Sequence, residues 1–144
     1  MFLLEWPKSK CGRIMKTINV VAAIIKQGDR ILATQRGHGE HAGGWEFPGG
    51  KIEPDETLEQ AIVREIREEL EASIAVDGLV TVIDYDYETF HLHMHCFLCH
   101  VAGGKFELHE HMAARWLSVA ELDSVDWLPA DKLVVQAIKN QGVL

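Results

Sequence analysis

The 144-residue sequence has little cysteine, a deficit of basic charge and no long apolar run. Its three cysteines, Cys11, Cys96 and Cys99, are an odd number with no second pair to complete a zinc ribbon. A disulfide framework is therefore not expected, and a reduced, cytoplasmic compartment is the simpler setting. Cys96 and Cys99 form a C-x-x-C, but an offset of three residues in a strand sends the two side chains to opposite faces. No run is long enough to span a membrane as a helix, and the apolar part of MFLLEWPKSKCGRIM is too short for the core of a signal peptide. Fourteen Lys and Arg stand against 22 Asp and Glu, a formal net charge of −8, which argues against a basic surface coating a nucleic-acid polymer. A small anionic substrate brought in with a cation remains open.

What is present is ordinary for a globular protein: 47% hydrophobic and 25% charged residues. One domain of this length buries roughly two-thirds of its unfolded surface without covalent staples. Residues 15–144 read as that domain, with residues 1–14 as an N-terminal extension. Residues 17–25 are a Val- and Ile-rich strand, and Gly28-Asp29 turns it into a second strand over 30–35. A loop over 37–44 leads to Trp45-Glu46-Phe47, and 48–51 is expected to turn sharply. Over 55–70 the apolar spacing changes to threes and fours through Leu58, Ala61, Ile62, Ile66 and Leu70, the pattern of a helix. Thr57 with Gln60 makes a capping box for its start, with Asp55 as the rival cap. Strands follow at 79–87, 90–101 and 115–117, with Gly103-Gly104 as a turn, then short helices at 119–122 and 130–139. This order is not a regular βαβ alternation, so an α+β fold with a mixed β-sheet between helices is expected.

Within the helix, Glu65, Glu68 and Glu69 stand at i, i+3 and i+4, which confines three carboxylates to an arc of about 100° beside the apolar stripe. They repel one another unless a cation joins them, and oxygen-only ligands suit Mg²⁺, with Mn²⁺ as a substitute. A solvated acidic face is the alternative. The glycine pairs Gly43-Gly44 and Gly49-Gly50 bracket W-E-F-P just ahead of this helix, where a backbone can approach a ligand closely.

Gly50, then Glu56 after five residues, then Arg64-Glu65-Ile66-Arg67-Glu68-Glu69 after seven more, resembles the Nudix box, the signature of hydrolases that cleave nucleoside diphosphates linked to another moiety. One position departs: Glu71 stands where the family usually has the glycine that ends the helix. The resemblance extends over 17–138, through Thr34-Gln35-Arg36, residues 45–51, His109-Glu110-His111 ahead of Trp116, and Leu128-Pro129-Ala130-Asp131. It is similar to the MutT-type branch and, within it, to CTP pyrophosphohydrolases. The resemblance implies a Nudix α/β/α sandwich and conversion of a nucleoside triphosphate and water to the monophosphate and pyrophosphate. It implies that the Gly49 carbonyl and Glu65, Glu68, Glu69 and Glu110 hold divalent metal. Glu65 is the favoured general base, with Glu68 as the rival. Arg64 orients Glu65 and pairs with Glu56, and Lys51 approaches a phosphate or the attacking water.

For the base, the resemblance points to Arg36 and Asp131, with Phe47 packing on the ring beside Ile18 and Val20. An ionised Asp131 suits the exocyclic amine of cytosine, a protonated one suits an oxidised guanine, and the same residue also reads as an N-cap of the last helix. Cytosine nucleotides, modified dCTP included, are the favoured substrates, with 8-oxo-dGTP in a pool-sanitising role as the alternative. The expected partner is the nucleotide, not a nucleic acid polymer or a membrane, with the chain as monomer or homodimer. Two other classes remain. His91, His93 and His95 alternate along one strand face and can present three imidazoles to Zn²⁺. A non-enzymatic nucleotide-binding regulator would typically lack one of the box glutamates, and here all three are present.

Overall fold

A computed structural model describes residues 15–107 and 111–144. The expected extension at 1–14, with Cys11, and the segment carrying His109 and Glu110 lie outside the described residues. The elements are β1 (Lys16–Gln27), β2 (Arg30–Arg36), β3 (Trp45–Glu46), β4 (Gly49–Lys51), α1 (Leu58–Leu70), β5 (Ala72–Asp86), β6 (Phe90–Gly104) and β7 (His111–Ser118), then a 3₁₀ turn at Val119–Ser124 and α2 (Pro129–Gln141).

β1 is the hub because both its faces are buried. Ile18, Val20, Ala22 and Ile24 pack in one core with Val134, Val135 and Ile138 of α2. Val21, Ala23 and Ile25 pack in a second with Ile62, Ile66 and Leu70 of α1. A strand covered on both sides needs an uninterrupted apolar run, which is what VVAAII supplies. β1 runs parallel to β6, antiparallel to β4, and turns at Gly28, in the left-handed region at φ 64°, into β2. The sheet order is β3-β2-β1-β6-β5, with β4 attached to β1 and β7 to β2. Helix, mixed sheet and helix form the α+β sandwich expected from the sequence. Cys96 and Cys99 are free thiols buried in opposite cores, as their offset requires.

Several local expectations need correction. Residues 49–51 do not turn; they form β4, with Val21 opposite Gly50 and Ala22 opposite Gly49. β5 begins at Ala72, directly after the helix, rather than at 79, and Gly103-Gly104 is no turn but the end of β6, opposite Ser73 and Ala72. Thr57, not Asp55, caps α1, and its box with Gln60 is formed.

The helix ends at Glu71 in the left-handed conformation, φ 52°, with its N–H donating to the Arg67 carbonyl at 3.0 Å. The family's glycine position thus keeps the glycine conformation. Left-handed backbone costs a side-chain-bearing residue roughly 1–2 kcal/mol, partly offset by the greater unfolded-state freedom of glycine. Glu71→Gly is therefore expected to raise stability by up to about 1 kcal/mol with kcat unchanged. Thermal melts and steady-state assays check this; a lower Tm would mean that the Glu71 side chain makes a contact the fold depends on.

Candidate active site

The start of α1 is set by reciprocal bonds, Gln60 N–H to Thr57 Oγ1 at 3.1 Å and Thr57 N–H to Gln60 Oε1 at 2.9 Å. From that start the helical turn of 100° per residue places Glu69 within about 20° of Ile62, Glu65 about 60° away and Glu68 about 120° away. The three carboxylates are accordingly graded rather than equally placed at a rim. Glu69 is fully buried, Glu65 nearly so, and the Glu68 side chain is one-third exposed, at 33%.

Arg64 ties this edge together. Its Nε and Nη2 donate to the Glu56 carboxylate at 2.6 and 2.9 Å, and its Nη1 to Glu65 Oε1 at 2.8 Å. The same Nη1 reaches Glu68 Oε1 at 3.4 Å, while Nη2 also donates to the Lys51 carbonyl at 3.1 Å. Glu53 adds an ion pair at 3.0 Å. One guanidinium thus joins the end of β4, the loop before α1 and the acidic edge, a task for a rigid fork of donors rather than an ammonium. Its hydrogen bond holds the Glu56 carboxyl below the usual range. Burial pushes the Glu65 carboxyl up, against the pull of Arg64.

The second oxygen of Glu65, Oε2, is buried with no hydrogen-bond partner. A buried carboxylate oxygen left over in an all-oxygen setting fits a hard divalent cation. Among the described residues, no three acidic, His or Cys side chains by themselves close around one point. The three glutamates thus share one helix edge without being gathered around a common centre. Gly49 lies where only glycine fits: a Cβ there would lie 2.0 Å from the Val21 carbonyl oxygen and 2.7 Å from Ala22 Cα.

Across β4 from this edge lies a narrow cleft walled by Val20, Phe47, Tyr87, Leu92, Met94 and Asp131, with Gly49 and Gly50 along it. Phe47 stacks on Trp127 at 4.6 Å, and its backbone N–H donates to Asp131 Oδ1 at 3.0 Å. Asp131 is the third residue of α2, not its N-cap, which is Leu128. The Ala130 N–H is satisfied instead by the Tyr87 hydroxyl, at 3.1 Å. Burial pushes the Asp131 carboxyl well above its ordinary range, and the nearby Glu46 charge adds to the rise. Arg36 is buried beside the cleft rather than on its wall; it pairs with Glu46 Oε1 at 3.3 Å and donates to the Glu40 carbonyl at 3.1 Å. Ile18 likewise belongs to the core and not to the wall. Lys51 is exposed at the end of β4. Glu46, Tyr87 and Trp127 were not singled out from the sequence. The signal for Glu46 was present, a carboxylate between two aromatics in a strand-like run.

The histidine strip alternates as expected, with Leu92, Met94 and Cys96 buried opposite. Two of its three rings, however, are taken up by aspartates of β5: His91 Nε2 and His93 Nδ1 meet Asp84 Oδ1 at 2.9 and 2.6 Å, and His91 Nδ1 meets Asp86 at 2.5 Å, while His95 Nδ1 is buried without a partner. Cross-strand ion pairs account for these two imidazoles without zinc.

The model of the NUDIX domain matches residues 15–138. A CTP pyrophosphohydrolase of Escherichia coli (strain K12) is 40% identical over 124 residues, covering 85% of this chain and 92% of that protein. An 8-oxo-dGTP diphosphatase of the same organism is 32% identical over 128 residues, 88% of this chain and 99% of that protein. Among solved structures, the E. coli ORF135 protein in solution is similar at a TM-score of 0.77 and 39% identity, over 89% of this chain and 92% of that one. A family match over nearly all of the described chain, on a fold that such relatives share, places the protein in the Nudix family of hydrolases.

Proposed function

We propose that the protein is a Mg²⁺-dependent pyrophosphohydrolase of the cytoplasm that converts nucleoside triphosphates to monophosphates and pyrophosphate and prefers cytosine nucleotides, modified dCTP among them. One observation carries the preference: a buried acid, Asp131, whose carboxyl burial pushes toward the neutral form, lines a cleft with Phe47, Leu92 and Met94. A neutral carboxyl donates from its hydroxyl and accepts at its carbonyl oxygen. The cytosine reading therefore rests not on the ionised carboxylate considered from the sequence but on the neutral form, whose hydroxyl would donate to the ring nitrogen while its carbonyl oxygen accepts from the amine. Phe47, backed by Trp127, packs on that ring, and Arg36 acts through Glu46 as a positioning residue.

Glu65, Glu68, Glu69 and the Gly49 carbonyl are the proposed holders of the cation, with Glu110 as a further ligand. When bound, the cation neutralises the triphosphate and lowers the pKa of water. Arg64 fixes Oε1 of Glu65 and leaves Oε2 buried without a hydrogen-bond partner. Burial raises the Glu65 pKa and so strengthens it as a base, and Glu65 takes the proton of the attacking water, with Glu68 as the alternative. Lys51 approaches the phosphates.

A neutral Asp131 also suits 8-oxo-dGTP, whose oxidised base pairs a carbonyl acceptor with an N–H donor, and this is the second reading. Mg²⁺-dependent pyrophosphate release across CTP, dCTP, 5-methyl-dCTP, dGTP and 8-oxo-dGTP separates the two. The expected result is kcat/KM for cytosine nucleotides above the purines by about tenfold or more, the scale set by pocket fit. A maximum at 8-oxo-dGTP would replace the first reading by the second, and equal slow turnover of all five would remove both.

A further inference from the structure

The carboxyl end of α1 is held by the chain that leaves β6. Lys105 N–H donates to the Glu71 carbonyl at 2.9 Å and Glu107 N–H to the Leu70 carbonyl at 2.6 Å. These carbonyls are among the groups a helix leaves unbonded at its end, and here a distant segment takes them up. The approach is possible only at Gly104. A Cβ there would lie 2.4 Å from the Glu71 carbonyl oxygen and 2.7 Å from Ala72 Cα, and its φ of +97° is one that residues with side chains rarely adopt. Phe106, whose ring packs at 5.6 Å on Trp116 of β7, anchors the same segment.

We propose that Gly104 is a positioning residue for hydrolysis: it lets residues 104–107 clamp the last turn of α1 and so hold Glu68 and Glu69 in place. The inference rests on the role proposed above for those glutamates. Glu68 and Glu69 sit two and one residues before Leu70, so a shift of the helix end moves them directly. Misplacement of a reacting group by about 1 Å lowers rates by up to about 100-fold. The clamp acts through backbone atoms, so the side chains of Lys105 and Glu107 are not its working parts.

The test compares Gly104→Ala with Gly103→Ala, whose added Cβ meets nothing within 4 Å. Two readouts are taken: amide hydrogen exchange of metal-free protein, and kcat and KM with Mg²⁺. Gly104→Ala is expected to speed exchange at Glu71, Lys105 and Glu107 and to lower kcat about tenfold or more, with KM near wild type; Gly103→Ala should change neither. Unchanged exchange in Gly104→Ala would overturn the clamp. Faster exchange with wild-type kcat would overturn its link to catalysis. Should Gly104→Ala fail to fold, Phe106→Leu loosens the anchor more gently. It is expected to raise exchange at the same amides and lower kcat severalfold, and wild-type values of both would overturn the proposal. Failure of the underlying reading shows differently, as a Glu68→Gln enzyme with full activity.

Discussion

Glu68→Gln is expected to lower kcat about a thousandfold, the upper range for removing one group that stabilises charge at a reaction centre. The same change should leave the fold alone. Glu68 is the most exposed of the three glutamates, its contact with Arg64 is long at 3.4 Å, and Gln keeps its shape. Removing one negative charge from an edge shared with Glu65 and Glu69 relieves repulsion in metal-free protein, so the Tm without Mg²⁺ should be unchanged or higher. With Mg²⁺ the order reverses, because one donor to the cation has lost its charge, and the half-saturating Mg²⁺ concentration should rise. Steady-state kinetics over a Mg²⁺ titration, beside melts with and without the ion, read all three effects. Near-normal turnover would take Glu68 out of the site.

That glutamate edge was legible in the sequence because spacing on a helix is a local property: the capping box sets the phase and 100° per residue does the rest. The burial of Glu69 follows from the same wheel, although treating the three carboxylates alike hid it. The strand that opens the cleft was not legible. Gly49-Gly50-Lys51 has no strand propensity of its own, and its pairing with Val20–Ala22 is imposed by β1, which needs a neighbour on that side. Asp77-Gly78 and Gly103-Gly104 look like turns in one dimension; both lie in strands, where the β5–β6 register slips or the backbones crowd. Asp131 shows a different limit. Its place after Pro129 suggests a cap, but the choice between capping α2 and meeting Phe47 depends on a chain segment 84 residues earlier. Tyr87, which takes the Ala130 N–H instead, comes from a third element again.

Asp131→Ala is expected to abolish most base discrimination, with the preferred cytosine nucleotide losing about 100-fold in kcat/KM relative to the others, in line with about 1–3 kcal/mol for a good bidentate base contact. Stability should fall by about 1–3 kcal/mol as well, because the buried Phe47 N–H loses its acceptor. Asp131→Asn distinguishes the protonation states. An amide oxygen can keep the Phe47 N–H, and the amide nitrogen donates where the neutral acid's hydroxyl would, so Asn imitates the protonated acid and not the carboxylate. Substrate preference within severalfold of wild type in Asp131→Asn is therefore the expected result; collapse to the level of Asp131→Ala would show that the charged form reads the base. Stability gives an independent check. Because burial raises the folded-state pKa above the unfolded value, the folded protein holds one more proton in the window between them, and stability falls as pH rises through it. Urea unfolding of metal-free protein at several pH values should show that decline in wild type and a shallower one in Asp131→Asn. An equal decline in both would move the titration to another buried carboxyl, with Glu65 the first to examine since burial raises it too, and would return the reading of cytosine to an ionised Asp131.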